Sequence, residues 1–248
     1  MNATRFEFRF RVVLITVLVT LGFWAPWIEW FGIGRRISLL EWLALELSRT
    51  GLVTFTMATP LVIVLASLIA AKGALLRICG TAWLGPATVN HADMQGGAVM
   101  AAGPYRYVRN PLYLGNWCMI AAMAFIMPPT GALFALVLLT IFQLRLIFAE
   151  EAFLSAQLGE PYRAYLAAVP RLVPRLRTTL AASSAQPHWL RAVLAELNPI
   201  GVFLTLAIFG WTFDRTTLRQ GILISLGISL ILRAFRPRPT PDTAAQPT

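Results

Sequence analysis

The sequence predicts an all-α, polytopic membrane protein with about six transmembrane helices. Hydrophobic residues make up 57% of the 248 positions and charged residues only 13%, whereas about a quarter of the residues in a soluble domain are charged. So few charges cannot cover a water-exposed surface. The apolar residues also fall into runs that approach the length of a bilayer crossing. Both observations indicate an integral membrane protein before any motif is considered.

Six apolar runs are the candidate spans. They lie at residues 12–27, 52–71, 111–127, 131–149, 194–213 and 218–232. Pro60 lies inside the second run and predicts a kink there. Pro199 and Gly201 interrupt the fifth run. Pro128 and Pro129 form a short turn between the third and fourth runs, so these two spans should form a helical hairpin. Residues 36–49 and 75–84 are candidates for short interfacial helices.

The basic residues predict the orientation in the membrane. Of the 21 lysines and arginines, fifteen fall on the side that carries the N-terminus and five on the other, while Arg145 lies inside the fourth span. Because cytoplasmic loops carry an excess of basic residues, both termini should be cytoplasmic. The net charge of +10 comes from arginines that flank apolar runs, so it does not indicate a nucleic-acid partner.

A cytoplasmic segment at residues 103–115 contains the first candidate site. Asn110 precedes Pro111, which predicts a helix start with a side-chain cap and proline at the first helical position. The free N–H groups of such a helix end, together with its positive dipole, suit a carboxylate or phosphate. Tyr105, Tyr107 and Tyr113 supply aromatic faces nearby. The alternative is an ordinary interfacial loop with tyrosines and positive-inside arginines.

A second segment, at residues 150–174, continues the fourth span. Glu150 and Glu151 follow the apolar run directly, and Arg145 lies within it. Ionisable residues inside a span are candidates for function, although solvated carboxylates and an arginine that snorkels to the interface would give the same pattern. The hairpin would bring both segments to one membrane face. Amides, aromatic faces and a carboxylate there are complementary to S-adenosylmethionine.

The cysteines and histidines do not predict a metal site or a disulfide framework. Cys79 and Cys118 are far apart in sequence, and so are His91 and His188. No pair has the spacing of metal ligands. The cysteines are expected to be small packing residues.

The two segments together resemble the signature of the isoprenylcysteine carboxyl methyltransferase family, which is itself similar to the membrane phospholipid methyltransferases. Family members carry Gly-Pro-Tyr-x-x-x-Arg-His-Pro-x-Tyr-x-Gly and, after a helical hairpin, Glu-Glu-x-x-Leu, Gly-x-x-Tyr-x-x-Tyr and Val-Pro-Arg-x-x-Pro. The matching residues here are Gly103, Pro104, Tyr105, Arg109, Pro111, Tyr113, Gly115, Glu150, Glu151, Leu154, Gly159, Tyr162, Tyr165, Val169, Pro170, Arg171 and Pro174. The resemblance covers roughly residues 75–176.

The resemblance implies a cofactor, S-adenosylmethionine, bound on the cytoplasmic side. The implied cofactor contacts are Ala98, Val99, Met100, Tyr105, Asn110, Pro111, Leu112, Tyr113 and Glu150. Two positions depart from the family pattern. Asn110 stands where the family has histidine. Leu146 stands where some relatives have a substrate-contacting arginine, and Arg145 is its neighbour, about 100° away around the helix.

The function implied is methyl transfer from S-adenosylmethionine to a lipophilic acceptor that enters from the bilayer. A carboxylate acceptor is already nucleophilic and needs only alignment, whereas a lipid amine must lose a proton to a base. Glu151 is the candidate base and Arg145 the candidate substrate contact. The motif lacks histidine, which favours carboxyl O-methylation of an isoprenylcysteine-like acceptor. The alternatives are phospholipid N-methylation and a non-catalytic membrane protein that binds lipid or has a structural role.

Four regions are predicted on this basis. Residues 1–74 hold the first two spans and an interfacial helix, and residues 75–177 form the methyltransferase core with a cytoplasmic cofactor site. Residues 178–235 contain a linker and the last two spans. Residues 236–248 form a disordered tail that is rich in proline and threonine. The protein is expected to be integral to a membrane, namely the inner membrane if the source is bacterial.

Overall fold

A computed structural model describes residues 2–24, 37–84, 101–178, 180 and 186–235. Within these ranges the chain forms ten α-helices and one short 3-10 helix, with no strand, so the prediction of an all-α fold is confirmed there. The helices are α1 (Arg5–Arg9), α2 (Arg11–Phe23), α3 (Leu39–Arg49), α4 (Phe55–Leu84), α5 (Pro111–Ala124), α6 (Pro129–Leu158), α7 (Glu160–Ala168), α8 (Trp189–Ala195), α9 (Leu197–Thr212) and α10 (Arg215–Ala234), and the 3-10 helix is Gly103–Arg106. The predicted tail and most of the predicted linker lie outside the described residues.

Two helices are long and apolar enough to cross a membrane. They are α4 and α6, with 30 residues each and mean hydropathies of 2.1 and 2.3. The bent pair α8 and α9 adds a third span if it is counted as one, and α2 is a shorter apolar helix. In the described part of the chain, therefore, two or three spans meet this test. The number six and the orientation of the termini stay predictions.

The outward faces of the long helices are apolar. Leu61 and Leu68 on α4 are 54% and 62% exposed, and Leu223 and Ile224 on α10 are 67% and 59% exposed. Exposed apolar patches of this kind indicate contact with another apolar phase. In a helical protein with two 30-residue apolar helices, that phase is the hydrocarbon of the bilayer.

The hairpin of α5 and α6 is the part of the fold that positions the candidate site. α5 begins at Pro111 and ends at Ala124, and α6 begins at Pro129. The predicted short turn between the two helices is therefore confirmed, but it covers residues 125–128, and Pro129 already belongs to α6. Ile120 and Ala124 of α5 pack with Leu139 of α6 in one buried cluster. The two helices therefore run antiparallel, and the first turn of α5 lies beside the last turns of α6.

Two predicted boundaries differ from the structure. Residues 75–84 are the last turns of α4 and not a separate helix. α6 does not end at residue 149 but continues through both paired glutamates to Leu158. The extension of α6 contains no glycine or proline that would stop the helix. The extension of α4 has no proline, and Gly73 and Gly80 lie inside the helix without ending it.

The fifth predicted span is broken at a different residue from the one predicted. α8 and α9 meet at Glu196 with a bend of 67°. Pro199 lies in the first turn of α9, where proline is tolerated because the N–H groups of that turn have no partner inside the helix. The prediction of an interruption at Pro199 and Gly201 was therefore wrong by a few residues.

Candidate active site

The start of α5 presents backbone N–H groups towards the end of α6. Asn110 is the N-cap residue and Pro111 takes the first helical position, as predicted. The predicted side-chain cap is wrong, because the Asn110 amide makes no hydrogen bond to the first turn. The N–H groups of Leu112 and Tyr113 are thus left without a side-chain cap at the positive end of the helix dipole.

A hydrogen bond joins the two segments across the hairpin. The Tyr113 hydroxyl donates to Glu150 Oε2 over 3.0 Å. These residues are 37 positions apart in the chain, so the contact depends on the hairpin and not on local sequence. The bond orients a carboxylate beside the uncapped start of α5. Amide donors, a phenol ring and an acidic acceptor therefore lie together.

The second glutamate is held by cations. Arg171 donates to both oxygens of Glu151, with its shortest contact at 2.8 Å from Nη2 to Oε2. Asn110 Nδ2 donates to Glu151 Oε1 over 3.2 Å and to the Arg171 carbonyl over 3.2 Å. Arg109 Nε lies 3.5 Å from Glu151 Oε1. Glu151 is only 6% exposed, so this network compensates a buried charge.

Asn110 therefore uses its amide to connect three segments. It touches the last turns of α6 through Glu151 and the loop after α7 through Arg171. A histidine at this position could donate from one nitrogen and accept at the other, whereas the asparagine Nδ2 offers two donors. Both donors are used here, which accounts physically for an asparagine at this place in the motif.

Three buried tyrosines pack around the 3-10 helix. Tyr105 is 7% exposed, and its hydroxyl donates to the Gly80 carbonyl over 3.4 Å. Tyr165 Oη donates to the Tyr105 carbonyl over 2.8 Å. Desolvation by burial raises the pKa of the Tyr165 phenol, so the hydroxyl stays protonated and keeps this donor role. Tyr162 packs beside Tyr165 in the same buried cluster.

Gly103 is required at the start of this 3-10 helix for two reasons. Its φ is +50°, a left-handed conformation that favours glycine. A Cβ atom at Gly103 would also lie 2.2 Å from Nε1 of the Trp83 ring. The close approach packs the loop that carries Tyr105 against the end of α4.

Leu112 and Pro111 attach the start of α5 to α4 and the core. Pro111 is fully buried. A Cβ atom at Gly80 would lie 2.7 Å from Leu112 Cδ2, so the glycine leaves room for the leucine. Both residues were predicted as cofactor contacts. The structure gives their side chains packing roles, and only the Leu112 N–H points to the open helix end.

Arg145 is not joined to the paired glutamates. Its guanidinium donates to both oxygens of Glu7 in α1, with contacts of 2.9–3.3 Å. Leu146, the position at which some relatives have arginine, is fully buried. The structure thus brings Tyr113, Asn110 and the glutamates together and leaves Arg145 on a neighbouring face. Ala98, Val99 and Met100 lie outside the described residues.

A buried network at the bend between α8 and α9 was not predicted. Glu196 is 1% exposed and accepts from Arg77 Nε over 2.6 Å and from the Thr81 hydroxyl over 2.6 Å. An acidic residue at the start of an apolar run was the available signal, because carboxylates at such positions need a partner. This network fixes the bend to α4 behind Tyr105.

Fold and site together define a helical membrane protein with a carboxylate-rich cluster at one end of a two-helix hairpin. The model of the phospholipid methyltransferase family matches residues 55–161, which run from the start of α4 to the start of α7. This match confirms the resemblance to membrane methyltransferases that the motifs predict. No curated protein and no solved structure matches the chain.

Proposed function

We propose that the protein is an integral membrane methyltransferase that uses S-adenosylmethionine and methylates a lipophilic acceptor from the bilayer. The observation that carries this proposal is the hydrogen bond between Tyr113 and Glu150 beside the uncapped start of α5. This pair belongs to the matched family segment. The arrangement of basic residues supports a cofactor site on the cytoplasmic side of a six-span protein with both termini inside.

The residues at the hairpin fit the cofactor chemically. The free N–H groups of Leu112 and Tyr113 suit its carboxylate, and Glu150 suits a hydroxyl or ammonium donor. Tyr105 supplies the aromatic floor, while Asn110 and Pro111 fix the helix start. The resemblance adds Ala98, Val99 and Met100 as cofactor contacts, and these residues lie outside the described part of the chain. When bound, S-adenosylmethionine supplies a methyl group on a positively charged sulfur.

The structure supports a carboxylate acceptor, such as an isoprenylcysteine-like lipid. Methylation of an amine needs a base, and Glu151 was the candidate. Both oxygens of Glu151 already accept hydrogen bonds from Arg171, and Asn110 donates a further one. A carboxylate has no proton to lose, so the chain needs only to orient it and exclude water. Glu151 then acts as a positioning residue that holds Asn110 and Arg171 around the cofactor site.

Phospholipid N-methylation is the second candidate, because the matched family is described by that activity. It predicts that a base becomes available when the acceptor binds. A non-catalytic role in lipid binding is the third, and it predicts cofactor or lipid binding without turnover.

Titration of the detergent-purified protein with S-adenosylmethionine and S-adenosylhomocysteine by calorimetry tests the cofactor site. Glu150→Gln should weaken cofactor binding about tenfold or more, because a hydrogen bond to a charged group contributes about 1.5–3 kcal/mol. The matched control is Glu160→Gln, since Glu160 is exposed and pairs with the exposed Arg163. Failure of the folded wild-type protein to bind either compound would contradict the proposal.

A further inference from the structure

The short helix α1 packs against α6 beside the candidate site. α1 docks on α6, where the Ala3 N–H donates to the Arg145 carbonyl over 3.1 Å. Phe8 of α1 is buried with Phe142 and Leu146, and Tyr113 packs against the same cluster. The N-terminal helix and the proposed cofactor residue Tyr113 therefore share one apolar contact region.

The contact that holds α1 in place is a carboxylate–guanidinium pair. Arg145 Nη2 donates to both Glu7 oxygens over 3.0 and 2.9 Å, and Arg145 Nε lies 3.3 Å from Oε1. This forked geometry is the one that arginine prefers for carboxylates. The side chains of Arg145 and Glu7 are 28% and 24% exposed, so the pair is reachable from outside.

α1 has few other attachments. It is a five-residue helix, and Phe8 is its one buried residue, whereas Phe6 and Phe10 are 64% and 41% exposed. A segment held by one buried side chain, one backbone hydrogen bond and one partly exposed ion pair opens at low free-energy cost. When α1 leaves, Arg145 keeps its charge and its forked donors but loses its carboxylate.

We propose that Arg145 is the anion-binding site for the carboxylate of the lipophilic acceptor, and that Glu7 occupies this site until the acceptor displaces it. The inference rests on the proposed function. The acceptor presents the same chemical group as Glu7, and the Arg145 site shares an apolar cluster with the proposed cofactor residue Tyr113 through Phe8 and Leu146. Arg11 at the start of α2 adds positive charge to this region, because its guanidinium lies 4.4 Å from the Phe8 ring centroid.

The test compares two substitutions, each of which removes one partner of the ion pair between Glu7 and Arg145. The probe is N-acetyl-S-farnesylcysteine, which carries one free carboxylate, and its equilibrium binding to the detergent-purified protein is measured directly. Glu7→Gln should tighten probe binding about five- to tenfold, because the competitor is gone. Arg145→Met should weaken it at least tenfold, and the double variant should behave like Arg145→Met.

A purely structural ion pair would behave differently. Both single variants would then shift probe affinity in the same direction or leave it unchanged, and either result would overturn the proposal. The methyl ester of the probe lacks the charge, so its binding should not respond to Arg145→Met. The exposed pair Glu160 and Arg163 supplies the control variants.

Failure of the proposed function gives a distinct result. If cofactor binding or methyl transfer is absent while the two substitutions still act oppositely on probe binding, the anion site stands and the methyltransferase assignment falls. A second outcome is that wild type and both variants bind the cofactor normally and also bind the probe with the same affinity. In that case only the proposed anion site at Arg145 is contradicted, and the methyltransferase assignment stands.

Discussion

Single side chains decide the chemistry of the cluster between α5 and α6. Glu150 and Glu151 are neighbours in sequence but have different surroundings. Glu150 meets a phenol hydroxyl, whereas Glu151 meets Arg171 and an amide. The motif predicted that both matter. It could not predict this division of roles, because the partners come from segments 20 to 41 positions away.

Tyr113→Phe removes the hydroxyl that reaches Glu150 and keeps the ring. We expect cofactor affinity to fall about tenfold, because one hydrogen bond to a carboxylate is lost, with little change in thermal stability. Isothermal titration measures the affinity. Tyr107→Phe is the control, and an unchanged affinity for Tyr113→Phe would exclude Glu150 as an oriented cofactor ligand.

The Asn110 amide should be sensitive to charge. Asn110→Asp places a second carboxylate next to Glu151 and removes a donor, so it should destabilise the protein by roughly 3 kcal/mol, in the range expected for uncompensated buried charge. Asn110→Ala removes only the donors and should cost about 1–2 kcal/mol. Thermal unfolding in detergent compares the two. Equal losses would contradict the network as described.

At the scale of elements, the sequence predicted helices better than their ends. The helix start at Pro111 and a short turn before Pro129 agree with the prediction, because proline acts locally at the first helical position. The extension of α6 to Leu158 and the bend at Glu196 depend on tertiary partners, such as Arg77 for Glu196. Local pattern does not contain that information.

The 3-10 helix offers a matched pair of glycine substitutions. Gly103 and Gly51 both have positive φ, at +50° and +75°, but only Gly103 has a neighbour, the Trp83 ring, within 4 Å of a new Cβ. Gly51→Ala should cost about 1 kcal/mol from backbone strain alone. Gly103→Ala should cost clearly more and also weaken cofactor binding, as thermal unfolding and calorimetry would measure. Similar costs at both positions would contradict the packing role of Trp83.

Docking of α1 should depend on pH. Hydrogen bonds from Arg145 lower the pKa of Glu7, and the Thr4 backbone N–H lowers it further. A lowered pKa in the folded state means that the Glu7 contact stabilises docking above the ordinary glutamate pKa of about 4.5. This stabilisation is lost as the pH falls through the lowered value. Arg145 of α6 is the charged residue that contacts Glu7 in the described part of the chain.

Amide hydrogen exchange in α1 would measure this dependence. After correction for intrinsic rates, protection of α1 should fall progressively as the pH is lowered below the ordinary glutamate pKa of about 4.5. In Arg145→Met the protection should be low at every pH. If protection in the wild-type protein does not depend on pH, the ion pair between Glu7 and Arg145 is not what holds α1 against α6.

At the scale of the whole molecule, composition alone predicted a helical membrane protein. The long apolar helices α4 and α6 agree with that prediction. The identity of the site depends on how four separate parts of the chain meet: the 3-10 helix, the start of α5, the end of α6 and the loop after α7. The motifs indicated all four parts, whereas the contact between Glu151 and Arg171 became visible only in three dimensions.

Transfer of labelled methyl from S-adenosylmethionine to N-acetyl-S-farnesylcysteine tests the central claim most directly. The account predicts a lipid-soluble product that releases the label as methanol in base, as a methyl ester does, and its formation should be lost in Glu150→Gln. A base-stable product on a lipid amine would contradict carboxyl methylation. Absence of transfer to this acceptor and to total lipid extract, by protein that binds the cofactor, would contradict the enzymatic assignment itself.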